Sequence, residues 1–424
     1  MPTCDARRRA ASTMRRIVHW IACVAFVATL CLPLVQTAFA PFPAIGLGGA
    51  VKPVATSEAS LAAWNSGTLQ QSIEGRLSKS LGLRDWMIRS DNELRMRAFG
   101  SAKRPIVAGD DGWLLEDGYL ATKMLARHHA LIDELLTRAW NFRLLQNALG
   151  KHDVHLAAVI SPSKVWTYPE LVPSPHSEAM HAMSGRYTLP EVLRAGLEVA
   201  GARCIDFGQQ FREWKQTDAS DTPPLFPRGG IHWSNHAAAR AAVCIQSEME
   251  SVARTDFRSL EIERIAQSKR PGGGEDDLVL LANLLDTSRW EEPIGQPVLR
   301  AKSGDEGAPM PTLIVGSSFS WGLARSFAND RCAEPLVVWY YFKSEWPYID
   351  GKKQSGASLP TKPEDLKERL LRYKVVLVEC NESAAEVFGM GFVEKALEAF
   401  GVEPAKQPPA EFMQHIEQRA RAAR

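Results

Sequence analysis

The sequence has few cysteines and almost no net charge. Seven cysteines occur in 424 residues, and 50 Lys and Arg are balanced by 49 Asp and Glu, which leaves a formal charge of +1. Such a low cysteine count excludes a disulfide-built mini-domain, so a hydrophobic core must carry the fold. The cysteines are widely spaced with no CxxC pair, which argues against zinc. Without a net basic field we expect no nucleic-acid partner, and without a ligand cluster we expect no metal or other cofactor.

Only one stretch of the chain is long, apolar and free of formal charge. Its 24 residues run from Ile17 to Ala40 and follow Arg7, Arg8, Arg9, Arg15 and Arg16. Such a run can span about 30 Å of hydrocarbon, with the arginines held in the cytoplasm and the rest of the chain exported. The segment Ala38-Phe39-Ala40 also fits a signal-peptide cleavage site. The length of the run favours an uncleaved anchor, and a cleaved signal peptide is the alternative.

The exported part alternates between helical and β-rich sequence. Short apolar runs that are typical of buried strands occur at Val154–Ile160, Cys204–Asp206, Leu313–Val315, Leu336–Tyr341 and Val375–Val378. Strands that alternate with helices predict an α/β fold with a mostly parallel sheet flanked by helices. Ligands of such sheets bind at the carboxyl ends of the strands, so the residues that follow each run are the candidates for chemistry.

A serine follows the third of these runs. Gly316-Ser317-Ser318-Phe319 comes directly after Leu313–Val315 and before a helical stretch. A serine between a strand and a helix has an exposed hydroxyl and neighbouring backbone N–H groups, which suits a nucleophile with an oxyanion hole. We assign Ser318 as the nucleophile, with the region of Gly316 and Ser318 supplying the N–H donors. An ordinary helix N-cap serine would fit the same pattern.

A histidine lies in a second loop of this kind. His232 follows Arg228-Gly229-Gly230-Ile231 and precedes a helix that begins near Asn235. A histidine that projects from such a loop can serve as the general base for a serine. A structural histidine near a helix start is the alternative.

The chain resembles the SGNH-hydrolase-like alginate O-acetyltransferase family (AlgJ/AlgX-like) over most of its exported part. The resemblance lies in a series of short motifs: Gly109–Leu114, Ser161-Pro162-Ser163-Lys164, Tyr168-Pro169-Glu170, His232-Trp233, Gly273–Leu278 and Gly316–Phe319. Together with the apolar run near the N-terminus, it divides the chain into three regions. These are a basic flank with the signal anchor (1–40), a linker with a helical segment (41–104), and an SGNH-like catalytic domain (105–424).

The resemblance also implies a function. The chain would acetylate an exported, alginate-like exopolysaccharide in the periplasm while anchored to the inner membrane, or as a soluble periplasmic protein if the anchor is cleaved. Ser318 would accept the acetyl group and His232 would remove its proton. A multipass acyltransferase of the inner membrane would be the acetyl donor. A carbohydrate acetylesterase and a non-catalytic polysaccharide-binding or assembly scaffold are the alternatives.

The chain departs from the family at one position. The family has Asp-x-His-Trp, in which the aspartate orients the histidine, and Gly230 stands in that place here. The site would then work as a Ser318–His232 dyad, recruit an acid from elsewhere, or be inactive. Asp206, just beyond a predicted strand, and Asp221, in the loop before His232, are the candidate acids.

Five residues are candidates for binding the substrate. Lys164 and Tyr168 lie near a strand end, and Arg228 could bind the carboxylate of an acidic sugar. Trp233 and Trp321 offer flat faces on which a sugar can stack. For each of them, a packing or solvated role is the alternative.

Overall fold

The computed structural model describes residues 4–49, 56–102, 106–124, 129–174, 176–182, 188–304, 306–359 and 362–422. The chain divides into two compact units. The first comprises residues 1–104 and 280–286, and the second comprises residues 105–279 and 287–424.

The first unit is helical. Its helices are α1 (Cys4–Phe39), α2 (Leu61–Asn65), α3 (Thr68–Ser80) and α4 (Arg84–Phe99). Helix α1 contains the apolar run: an 18-residue window of Met14–Phe39 has a mean hydropathy of 2.2, and among the described residues this is the one helix long and apolar enough to cross a membrane. This is compatible with a membrane anchor or a signal sequence. Residues 50–55 and 103–104 of the region predicted as a linker with a helical segment lie outside the described residues.

The second unit contains the strands and the remaining helices. The strands are β1 (Ile106–Ala108), β2 (Leu114–Glu116), β3 (His155–Ser161), β4 (Cys204–Asp206), β5 (Leu260–Ala266), β6 (Gln296–Ala301), β7 (Thr312–Gly316), β8 (Leu336–Tyr340), β9 (Ser344–Ile349), β10 (Lys352–Lys353), β11 (Ala357–Ser358) and β12 (Val375–Asn381). The helices are α5 (Asp117–Met124), α6 (His129–Gly150), α7 (Lys164–Thr167), α8 (His176–Ala182), α9 (Leu189–Val199), α10 (Phe207–Thr217), α11 (Asn235–Ala253), α12 (Asp277–Ala282, whose last turn belongs to the first unit), α13 (Ser320–Phe327), α14 (Pro363–Leu370), α15 (Phe392–Ala399) and α16 (Ala410–Ala422).

The central sheet confirms the predicted α/β fold. Its strand order is β10-β9-β8-β7-β12-β3-β4, with β11 also paired to β9. Strands β8, β7, β12, β3 and β4 are parallel, and each of them corresponds to one of the five predicted strands. The sequence did not predict the antiparallel extension formed by β9, β10 and β11.

Side chains of the sheet alternate between two hydrophobic cores, as the period of two in a strand requires. On β12, Val375 and Leu377 face the core covered by α10, α11 and α13, whereas Val376 and Val378 face the core covered by α6, α9, α14 and α15. Helices on both faces leave the strand ends free to carry polar groups. The parallel strands β3, β7 and β12 end at Ser161, Gly316 and Asn381, on one edge of the sheet. In the described part of the chain, Cys204, Cys244, Cys332 and Cys380 are not joined by disulfide bonds.

Candidate active site

Ser318 lies in the turn that joins β7 to α13. The N–H of Ser320 donates to the carbonyl of Ser317 at 3.1 Å, and that of Trp321 to the carbonyl of Ser318 at 3.3 Å, so the chain turns directly into the helix. The Ser318 Oγ lies 2.7 Å from the Nε2 of His232. Among the described residues, the Ser318 N–H has no hydrogen-bond acceptor. The two predicted partners are thus in hydrogen-bond contact, and a free N–H lies beside the hydroxyl.

The loop that carries His232 is anchored at both ends. At its start, the N–H of Leu114 on β2 donates to the carbonyl of Arg228 at 2.9 Å. At its end, the Ser234 hydroxyl accepts the N–H of Ala237 at 3.1 Å and so caps α11. The His232 ring packs against Phe319, with 4.8 Å between the ring centroids. These contacts restrict the imidazole to a position over the nucleophile turn.

Asp277, the first residue of α12, completes a hydrogen-bonded chain. Its Oδ2 lies 2.5 Å from the Nδ1 of His232, and its Oδ1 accepts the N–H of Ile231 at 2.7 Å. A carboxylate on Nδ1 holds the imidazole in the tautomer whose Nε2 can accept a proton from serine. The chain therefore contains the geometry of a Ser-His-Asp triad, with the acid located after the histidine in the sequence.

This geometry corrects the sequence-based candidates for the acid. Asp206 caps α10 by accepting the N–H of Gly208 at 2.7 Å, and it pairs with Arg194. Asp221 is exposed in the loop before the histidine. The Nδ1 of His232 is occupied by Asp277 instead. The signal for this acid was present in the Gly273–Leu278 motif, but the motif did not indicate its role.

The position of Gly230 explains why no aspartate stands two residues before His232. A Cβ on Gly230 would lie 2.7 Å from the carbonyl oxygen of Glu275 and 2.7 Å from the Cγ of Pro227. Such distances are shorter than van der Waals contact, so any side chain here would displace its neighbours. Gly230 thus makes room for the segment Gly272–Asp277, which we call the acid segment and which delivers Asp277 to the histidine.

The acid segment is held by buried polar contacts. Glu275 is buried and its carboxylate accepts the N–H of Asn235 at 2.9 Å and the N–H of Gly272 at 3.1 Å. The guanidinium of Arg325 on α13 donates to the carbonyl of Gly273 at 2.5 Å and to the Oδ1 of Asn235 at 2.9 Å. The segment is therefore connected to the start of α11, which follows His232, and to α13, which follows Ser318.

The side chains of Ser318, His232 and Asp277 line a cavity of about 480 Å³. Its wall includes Trp321, Tyr348 and Lys353, the last two from the antiparallel extension of the sheet. The Nζ of Lys353 lies 4.5 Å from the ring centroid of Trp321, a cation–π distance. An aromatic face and a positive charge thus line the same cavity as the candidate nucleophile. No group of three or more His, Cys, Asp or Glu residues in the described part of the chain is placed to hold a metal ion.

Residues 106–330 match the family described as "SGNH hydrolase-like domain, acetyltransferase AlgX". This match covers more than half of the 424 residues. The chain belongs to the AlgX family of SGNH hydrolase-like acetyltransferases. The resemblance inferred from the motifs is confirmed, and at the level of the family the protein is an acyl-transfer enzyme.

Several solved structures are similar to this AlgX-family chain. The O-acetyltransferase domain of Pseudomonas putida AlgJ is 16% identical, with a TM-score of 0.42 over 74% of this chain and 100% of that one. Pseudomonas aeruginosa AlgX is 16% identical, with a TM-score of 0.42 over 69% of this chain and 67% of that one. Bacillus cereus PatB1 with a sulfonyl adduct is 12% identical, with a TM-score of 0.39 over 67% and 97% of the two chains. No curated protein sequence matches this chain.

Within this AlgX-type domain, Lys164 has structural partners in place of the predicted substrate contact. Its Nζ is buried and donates to the carbonyls of Leu114 at 3.1 Å and Arg228 at 3.3 Å. Burial lowers the pKa of the ammonium to about 7, although the negative charge of Asp277 opposes this shift. Lys164 therefore connects the start of the His232 loop, at Arg228, to Leu114 on β2.

Two more of the predicted substrate residues also pack against the domain. Tyr168 packs at a tilt against Trp113 with 5.0 Å between the ring centroids, and burial raises the pKa of its hydroxyl to about 12. Arg228 pairs with Glu292 at 3.0 Å and donates to the carbonyl of Asp111. Both side chains are thus held by contacts with other residues of the domain.

The two predicted tryptophans differ from each other. Trp233 is only 3% exposed and stacks on Phe211, with 5.9 Å between the ring centroids. It is therefore mainly a core residue, although part of it lines the cavity. Trp321 is half-buried and lines the cavity next to Ser318. Of the five residues predicted to bind substrate, Trp321 is the one whose position suits stacking on a sugar.

The sequence also missed two carboxylates near the triad. Glu116 ends β2, and its pKa is raised by burial and by the charge of Asp277, whereas the charge of His232 lowers it. Glu379 is fully buried beneath the nucleophile turn. Neither residue belongs to a motif that a single sequence reveals.

Proposed function

We propose that this chain is an O-acetyltransferase that acetylates hydroxyl groups of an exported, alginate-like exopolysaccharide. The observation that carries the proposal is the hydrogen-bonded chain from Ser318 Oγ through His232 to Asp277, at 2.7 and 2.5 Å, at the wall of an open cavity. Membership of an acetyltransferase family supports the choice of reaction.

In the first half of the reaction, Ser318 Oγ attacks the acetyl carbonyl of the donor while its proton passes to the Nε2 of His232. A tetrahedral intermediate forms, and its negative oxygen is stabilised by the N–H of Ser318, which is free of other acceptors in the described residues. The bond to the donor's leaving group then breaks, and His232 returns the proton to that group. Asp277 stabilises the imidazolium throughout.

In the second half, a sugar hydroxyl enters the cavity and gives its proton to His232. The sugar oxygen attacks the acetyl carbonyl, the bond to Ser318 breaks, and Ser318 regains the proton. Trp321 and Lys353 line the cavity where the sugar would bind, and an aromatic face with a nearby cation suits a sugar that carries a carboxylate.

The remaining parts of the proposal concern location and partners. The apolar helix Met14–Phe39 supports a chain held at the inner membrane with its acetyltransferase domain in the periplasm, or a soluble periplasmic form after cleavage. A multipass acyltransferase of that membrane would supply the acetyl group. The polysaccharide substrate would reach the cavity from the periplasm.

The test is an acetyl-transfer assay with the full-length chain in detergent micelles. p-Nitrophenyl acetate is the donor and an alginate oligosaccharide the acceptor, with acetylated sugar measured by mass spectrometry. We expect acetylated sugar from the wild type and a loss of about 10³-fold or more for Ser318→Ala. Ser326→Ala is the matched control, because that buried hydroxyl lies on α13 and donates to the carbonyl of Gly322 at 2.9 Å. Free acetate without acetylated sugar would favour an esterase, and full activity of Ser318→Ala would contradict the proposal.

A further inference from the structure

Glu379 is a fully buried carboxylate that the proposed reaction does not use. It lies near the end of β12, the strand that pairs with β7 on one side and β3 on the other. Its Oε2 accepts the N–H of Ser317 at 2.7 Å, the Ser317 hydroxyl at 2.8 Å and the Ser320 hydroxyl at 3.1 Å. Its Oε1 accepts the Ser161 hydroxyl at 2.5 Å. The Glu379 carboxylate therefore connects the ends of β3 and β7, the two strands that pair with β12, to the start of α13.

The residues around Ser318 depend on this carboxylate. Ser317 immediately precedes the candidate nucleophile and both its N–H and its hydroxyl donate to Glu379. The oxygen of the same Ser317 hydroxyl accepts the N–H of Phe319 at 3.3 Å. Ser318 is thus flanked on both sides by backbone groups that are fixed through Glu379, while its own N–H stays without an acceptor in the described residues.

Gly316 provides independent evidence for the same arrangement. A Cβ at this position would lie 2.2 Å from the Ser320 Oγ and 2.7 Å from the Oε2 of Glu379. Such contacts are impossible without displacing the carboxylate or the hydroxyl. The carbonyl of Gly316 accepts the N–H of Tyr341 at 2.9 Å, so the residue also ends β7 in register. The role visible for Gly316 is to admit Glu379, in addition to the oxyanion role predicted from the sequence.

We propose that Glu379 is a positioning residue that holds the Ser317–Ser320 turn, so that the Ser318 hydroxyl stays on His232 and the Ser318 N–H stays available to the oxyanion. This inference rests on the proposed function, because it assigns Ser318 as the nucleophile. Three donors converge on Oε2, so this oxygen acts as an acceptor whether or not the carboxyl is ionised. Burial raises the pKa of the carboxyl, whereas the hydrogen bonds from the serines lower it.

The requirement for an acceptor makes glutamine the informative substitution. In Glu379→Gln the amide oxygen can take the place of Oε2, and the amide nitrogen can donate to the Ser161 hydroxyl. In Glu379→Ala the N–H of Ser317 and three hydroxyls lose their acceptor in a buried site, which lets the turn shift. A shift of about 1 Å at a reacting group can lower the rate by about 10²-fold.

The experiment measures kcat and KM for acetyl transfer from p-nitrophenyl acetate, together with thermal unfolding, in the full-length chain. For Glu379→Ala we expect kcat to fall by about 10²-fold with KM changed by less than about threefold, and for Glu379→Gln we expect most of kcat to be retained. Glu382→Ala is the matched control. That carboxylate is equally buried three residues further on, but it pairs with Arg194 and accepts the N–H of Ser163 at 3.1 Å. We expect a lower unfolding temperature for Glu382→Ala with little change in kcat.

Three results would overturn the inference: an unchanged kcat in folded Glu379→Ala, equal losses in Glu379→Ala and Glu379→Gln, or an equal loss of kcat in Glu382→Ala. If Glu379→Ala does not fold, the double variant Ser317→Ala with Ser320→Ala decides, and we expect it to lose about tenfold in kcat, whereas an unchanged kcat rejects the role. Ser318→Ala measured alongside separates the two proposals. Activity that survives Ser318→Ala contradicts the proposed function, whereas activity that is lost there but kept in Glu379→Ala contradicts only the role of Glu379.

Discussion

The nucleophile turn and the acid segment reach the same histidine by different means. Ser318 lies two residues after the end of β7, and the preceding Ser317 donates its N–H to Glu379 on the neighbouring strand β12. Asp277 is carried by Gly272–Asp277, which is held by hydrogen bonds that involve Glu275, Asn235 and Arg325. The serine is therefore placed by the central sheet, and the acid by side-chain contacts of its segment with helices α11 and α13. Such contacts can supply a triad acid from a position that the family motif does not specify.

The largest expected effect comes from removing the charge of the acid. In Asp277→Asn an amide replaces the carboxylate on the Nδ1 of His232, and the imidazole loses the partner that fixes its tautomer. We expect kcat to fall by about 10³- to 10⁴-fold, as for triad aspartates elsewhere. Steady-state kinetics with p-nitrophenyl acetate measure this.

Asp276→Asn is the control for that variant, because it changes the neighbouring acid of the same segment. Near wild-type kcat is expected for it. A loss of less than tenfold in Asp277→Asn, or equal losses in the two variants, would mean that the acid segment does not serve the histidine.

A smaller effect is expected from adding one methyl group where the acid segment meets the histidine loop. In Gly230→Ala the new Cβ would lie 2.7 Å from the carbonyl oxygen of Glu275, so the segment must move away and carry Asp277 with it. We expect kcat to fall by about 10²-fold through this displacement. Gly272→Ala is the matched control within the segment, since its Cβ would come no closer than 3.7 Å to Gln296. Equal kcat values for the two alanine variants would contradict the steric role of Gly230.

The smallest effect is expected for Lys164, the buried lysine that contacts the start of the histidine loop, and it appears in the pH dependence of stability. The folded pKa of Lys164 is about 7, against 10.5 for an unperturbed lysine. Between these values the unfolded chain binds a proton that the folded chain does not, so the contribution of this group to stability rises as the pH increases from about 7 to about 10. In Lys164→Met that contribution is absent, and we expect the unfolding temperature of the wild type to rise relative to the variant over this range.

Thermal unfolding at pH 7 and pH 9 measures the difference. Lys395→Met is the control, because that lysine is half exposed and pairs with Glu398 at 3.0 Å. We expect this control to follow the wild type. If the unfolding temperatures of the wild type and Lys164→Met change in parallel with pH, the pKa of Lys164 is not lowered in the folded chain, and the prediction is wrong.

The sheet could be predicted from the sequence because buried parallel strands are continuous apolar runs. The predicted run Val375–Val378 corresponds to a strand that extends to Asn381. Its last residues were missed because Glu379 and Asn381 are polar and end the apolar pattern, although they are buried. The strands of the antiparallel extension escaped prediction for a similar reason, since Ser344–Ile349 is half-buried and mixes polar residues with aromatics.

The candidate site could be predicted only in part. Ser318 and His232 lie in turns next to regular elements, and local sequence indicates such positions. Asp277 is 45 residues from His232, and nothing local connects the two. The contacts of Lys164 and Arg228 were also beyond the sequence, because whether a charged side chain meets solvent or a backbone carbonyl is decided by tertiary packing.

The central claim is that Ser318, activated by His232 and Asp277, carries the acetyl group. Its most direct test is to mix the full-length chain with p-nitrophenyl acetate, quench the reaction in acid within the first turnover, and locate the acetyl group by peptide mass spectrometry. The account predicts an acetyl group on Ser318 in the wild type, and label that accumulates at least about 10²-fold more slowly in Asp277→Asn. An acetyl group on another residue, or labelling of Ser318 at the same rate in Asp277→Asn, would contradict it.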